Sequence, residues 1–203
     1  MIHFHPAATV EYHRLILEHI RPELIRTVRE NPDCILQENS RDPESAIEDS
    51  FEGMPTSRWS FLLMDSDQPC IPGLDPPWYY RGTVECNGMH FMVHSDFHLC
   101  LHPSIGFRRV RSLLADPMFA GLPPTLHIEH DPDENESWTI TFHHDTGVGW
   151  HALEPAYARR YFLAALEETL QVIRAVRVFS RDYRNSAAFR AVRMALRTAY
   201  ESF

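Results

Sequence analysis

The sequence predicts an α+β fold, with an antiparallel sheet of about five or six strands covered on one face by N- and C-terminal helices. Three observations carry this. Residues 58–143 are dominated by period-two alternation, both ends show apolar residues three to four apart, and the strands are grouped rather than alternating with helices. A chain of 203 residues is read as a single domain, 1–203.

The elements follow in order. Leu17, Ile20, Leu24 and Val28 form the inward stripe of a first helix that Asn31-Pro32-Asp33 ends, with Pro22 as a kink or the start of a second helix. A short helix is expected from Asp42 to about Gly53, Pro43 standing at its first position. Arg58–Met64 is the first expected strand, and the prolines between Asp65 and Pro77 mark a loop. Asn87-Gly88 between two alternating runs predicts a two-residue hairpin turn, which would set Cys86 opposite Met89, Glu85 opposite His90 and Arg81 opposite His94. A helix over about Ser104–Ala115 follows. A second hairpin then pairs Leu126–His130 with Trp138–His143, and Thr146-Gly147-Val148-Gly149 is read as a turn. Pro155 opens a helix with the stripe Ala158, Phe162, Leu166, Leu170, Ile173 and Val176. Ser186 caps a last one bearing Phe189, Val192, Leu196 and Tyr200.

Composition excludes several classes of function. All 19 basic residues are arginine, so Schiff-base chemistry and a P-loop lysine are both ruled out. The start is no signal peptide, and no apolar run approaches the ~20 residues that span a bilayer. With four scattered cysteines and no C-x-x-C, the expected location is cytoplasmic. The exclusive use of arginine points to GC-rich coding and so to a bacterial source. The formal charge of −9 divides unequally: residues 155–203 carry nine arginines against four acids, and residues 1–154 ten against 24. A molecule negative overall repels phosphates, so nucleic acid is an unfavourable partner.

The residues able to carry chemistry are mostly histidines, 13 in all. Between Met89 and His102 the odd positions are mainly apolar, while the even ones are His90, Met92, His94, Asp96, His98, Cys100 and His102. Four imidazoles therefore share a face. A turn at Ser95–Phe97 would set His94 against His98 and His90 against His102, a possible site for zinc or another divalent metal. One unbroken strand would instead spread these histidines over about 40 Å at ~3.3 Å per residue. A second cluster is His127, Glu129 and His143, which the second hairpin could gather into a general acid/base set.

Acidic segments and aromatic residues form the other candidate surface. Glu48, Asp49, Glu134 and Glu136, with Trp78 and Tyr79 as anchors, would steer and hold a basic protein. The expected function is a non-catalytic acidic protein-binding domain without a cofactor, an inhibitor or immunity protein that neutralises a bacterial toxin or effector. The alternative is a histidine-based hydrolase or phosphoesterase that uses the sheet histidines, with or without a divalent metal.

Overall fold

Six strands form one antiparallel sheet in a computed structural model that describes residues 6–40, 56–65, 78–87, 90–101, 108, 111, 114–119, 121–122, 125–130, 138–149 and 155–186. Helix α1 (Pro6–Glu30) leads into β1 (Cys34–Ser40), β2 (Thr56–Asp65), β3 (Trp78–Asn87) and β4 (His90–Leu101). Then come β5 (Thr125–His130), β6 (Trp138–Gly149) and α2 (Pro155–Asn185). The spatial order is β1-β2-β3-β4-β6-β5. Four strands thus run as a meander, after which the chain reaches the far edge as β5 and returns as β6 beside β4. The fold is α+β, with both helices on one face of the sheet.

Those helices form because each presents an apolar stripe to the sheet. On α1 the stripe is Ile16, Ile20, Leu24 and Thr27, while the expected Leu17 and Val28 lie partly buried at its flank. Pro22 sits inside this one continuous helix. Asn31 ends it: its backbone N–H and its side-chain amide both donate to the Thr27 carbonyl at 3.0 Å. Pro32 then disfavours a helical conformation for Asn31. On α2 the expected Phe162, Leu166, Leu170, Ile173 and Val176 are buried, and the stripe continues through Phe179 and Tyr183. Phe179 meets Phe97 edge-on at 4.7 Å and Trp78 at 6.1 Å, and Phe162 meets Phe91 at 4.7 Å. Edge-to-face pairs of this kind add about 0.5–1.5 kcal/mol each beyond area burial.

Several sequence expectations are corrected. Of the two readings of residues 89–102, the structure has the unbroken one: β4 runs without a turn for 12 residues. β1 was not expected, and it brings the strand count to six. The β3–β4 register places Cys86 opposite Phe91, Glu85 opposite Met92 and Arg81 opposite Asp96, two residues further along β4 than expected. Asn87 ends β3, and its side-chain Oδ1 accepts the His90 backbone N–H at 2.9 Å. A slip of two leaves every side chain on its predicted face, whereas a slip of one would have inverted the sheet. Residues 146–149 are not a turn; they extend β6 as far as the Gly149–His90 pair. The expected helices at 42–53 and beyond Ser186 lie outside the described residues. So does most of the one at 104–115, of which Arg108, Arg111 and Leu114 are helical.

Candidate functional site

The helices cover one face of the sheet, and the other carries His90, His94, His98 and His143. Alternation in β4 is kept: Phe91, Val93, Ser95, Phe97 and Leu99 are buried towards the helices, while His94 is exposed and His90, Met92 and Asp96 are half-buried. Ser95 is the polar exception on the covered face, and the Tyr80 hydroxyl donates to its Oγ at 3.1 Å.

Because β4 is unbroken, its histidines do not meet one another as a hairpin would have arranged. The alternative metal site of His90, His94, His98 and His102 depended on that turn and loses its geometric basis, and His102 lies outside the described residues. Among the described residues no three His, Cys, Asp or Glu side chains are grouped so as to hold a metal ion.

The imidazoles pair across strands with carboxylates instead. His94 lies opposite Asp145, and Asp96 lies opposite His143. The His94 Nδ1–H donates to Asp145 Oδ1 at 2.8 Å, and the His143 Nδ1–H donates to Asp96 Oδ1 at 2.6 Å. A carboxylate can only accept, so each contact fixes the proton on Nδ1 and leaves Nε2 as the acceptor nitrogen of the neutral ring. The two pairs are adjacent and reversed. They form a checkerboard in which β4 supplies an imidazole and then a carboxylate, and antiparallel β6 supplies the complement.

Further groups extend this centre. Arg81, opposite Asp96 on β3, places Nε and a terminal nitrogen each 3.2 Å from Asp96 Oδ2. His98 is buried, with Nδ1 3.1 Å from Thr141 Oγ1, Nε2 4.0 Å from Asp96 Oδ2 and its ring stacked on Tyr79 at 4.3 Å. His90 Nε2 lies 3.2 Å from Glu85 Oε1, a diagonal contact, since Met92 is the residue opposite Glu85.

The predicted site residues thus divide. His143 stands on the open face as expected, but its carboxylate is Asp96, not Glu129. His127 and Glu129 lie in β5, where the register sets them opposite Thr141 and Thr139. Tyr79 is half-buried on the open face. Trp78 is not an anchor: it is 1% exposed and packed between Phe97 and Phe179. Glu48, Asp49, Glu134 and Glu136 lie outside the described residues. Sequence reasoning placed Asp96 on the histidine face and Asp145 beside the second cluster, but gave neither of them, nor Arg81, a role. Their signal was two matching His-x-Asp tripeptides, 94–96 and 143–145, which satisfy each other once their strands pair antiparallel.

Groups on the covered side are chemically quieter. Burial pushes the Cys34 and Cys86 thiols up to about 12, with Asp65 adding to the first and Glu85 to the second. Neither is therefore a nucleophile near neutral pH. Burial also lowers the pKa of His144, with Glu168 and Asp145 partly opposing it. No helix among the described residues is long and apolar enough to cross a membrane. No protein-family model, no curated protein and no solved structure matches the chain.

Proposed function

We propose that this chain is a non-catalytic binding protein of the bacterial cytoplasm that holds a basic protein against the open face of its sheet, as an inhibitor or toxin-neutralising immunity protein would. The observation that supports this best is the arrangement of the ionisable groups there. They are spread in mutually hydrogen-bonded pairs over β3, β4 and β6, an array suited to a broad contact. The charge of −9 favours a cationic partner and speeds its approach. The test is the association rate with the cationic product of a neighbouring gene. Reversing Glu85 and Asp145 to arginine should slow association about tenfold at low salt and much less at high salt. An unchanged rate would remove the reading.

One observation favours a second reading, the histidine-based hydrolase. The 2.6 Å contact of Asp96 with His143 is the relation that orients a general base, and the His143 Nε2 carries no hydrogen bond among the described residues. In that reading His127 and Glu129 of β5 would serve as further acid/base groups. Turnover of p-nitrophenyl phosphate or acetate, with and without added zinc, that is abolished by His143→Ala would establish that reading over the first.

A further inference from the structure

We infer that His94, Asp96, His143 and Asp145 form a proton-gated cradle for guanidinium or ammonium groups on an extended basic segment. This inference rests on the proposed docking role of the open face and assigns that face a chemistry and a control.

The argument starts from hydrogen-bond polarity. Both Nδ1–H groups of the checkerboard are committed to carboxylates. What remains for a ligand is the Nε2 lone pair of His94, the Nε2 lone pair of His143 and the Asp145 Oδ2, none of which carries a hydrogen bond among the described residues. Asp145 and His94 are the more exposed pair, at 68% and 54% of their side chains. The outward surface at that end thus consists of acceptors beside a carboxylate. Such a surface takes donors that carry positive charge, namely arginine or lysine side chains.

Neighbouring groups give the cradle a direction. Arg81 occupies Asp96 Oδ2 from β3, so a cation is disfavoured at that end and favoured at Asp145. From β3 the group opposite His94 is the uncharged Thr83, and from β5 the register places Thr125 opposite His143. His98, on β4 beside Asp96, is bonded to Thr141. Residues two apart on an extended strand are ~7 Å apart, so alternate side chains of an extended segment match the spacing of the two pairs, with the basic one seated at Asp145.

Protonation reverses the polarity. Once an imidazole gains its second proton, Nε2 changes from acceptor to donor and the ring becomes a cation bonded to its own carboxylate. Three acceptors become one, Asp145 Oδ2, and the local charge rises by two. A basic segment held near neutral pH is released on acidification.

The experiment uses the whole chain and one defined probe, an acetylated and amidated peptide of alternating arginine and threonine. Affinity is measured by fluorescence anisotropy at about pH 7.5 and pH 5.5, with histidine and backbone NMR shifts mapping the contact. We expect binding at the higher pH and roughly tenfold weaker binding at the lower. Asp145→Asn should weaken the complex about three- to fivefold near neutral pH. In the double variant His94→Gln/His143→Gln the ratio of the two affinities should collapse to about twofold, because glutamine has no charge change to make. His19→Gln on the outer side of α1 controls for overall charge and should keep the full ratio. A double variant that keeps the wild-type ratio, or an Asp145→Asn variant with unaltered affinity, overturns the cradle. If the peptide then still perturbs open-face residues such as Glu85, the docking role survives without it. A peptide that perturbs no open-face residue at either pH overturns both.

Discussion

Cys34 and Cys86 show how position sets the chemistry of a residue. Each is an ordinary thiol in the sequence, and each is sealed against the helices with its pKa raised to about 12. Iodoacetamide at about pH 8 should therefore leave both unmodified in the native protein and label both in denaturant, as peptide mass mapping would read out. Labelling of either in the folded chain would contradict its burial. His144 gives a pH prediction with a definite sign. Its folded pKa is lowered, so the unfolded state binds the proton more readily. Its contribution to stability is complete above the unfolded value of about 6.5 and is lost as pH falls through the folded value. Urea midpoints measured from about pH 7.5 to 5 should fall less steeply in His144→Gln than in the wild type, and equal slopes would refute the assignment. The neighbouring His143 and Asp145 point the other way and meet β4, a difference of face that period two already implies.

At the scale of elements, β4 is instructive because the sequence left open whether it breaks at Ser95-Asp96. Serine followed by aspartate carries weak strand propensity and strong turn propensity, although the alternation continues through it. Tertiary partners reverse it: Tyr80 satisfies the Ser95 hydroxyl, and Arg81 and His143 satisfy Asp96. β1 was missed for a related reason. Cys34–Ser40 is an edge strand with Ile35 exposed, and Arg21 of α1 bonds Glu38 on the covered side, so its alternation is weak. By contrast the β5–β6 hairpin was legible, with His130 opposite Trp138 as expected. Gly82 tests the packing between β2 and β3. A Cβ there would overlap the Phe61 ring, which is itself held between Trp59 and Tyr80. Gly82→Ala should cost about 1–3 kcal/mol in chemical denaturation, because the ring has no open space to enter. A neutral result would mean that the ring can shift.

Across the whole molecule, the helical layer is joined by packing and by one enclosed ion pair. Arg177 on α2 donates to Glu23 on α1 at 2.6 Å, with both side chains largely buried. Glu23→Gln keeps the shape and removes the charge, and should cost about 1–3 kcal/mol in urea unfolding. A loss below a few tenths would show that the pair only decorates the helix interface. With α1 and α2 on one side, the open side is where the imidazole and carboxylate groups gather.

Several features were determined by the sequence alone: the α+β class, the two terminal helices, the alternation that separates apolar from histidine-bearing faces, and the overall negative charge. All of these depend on composition and on spacing of at most four residues, which a chain carries without knowing its neighbours. Only the tertiary structure decided which histidine meets which carboxylate. A hydrogen bond between residues about 50 positions apart depends on strand order and register, and these are set by how the aromatic residues of the sheet fill the space beneath two helices.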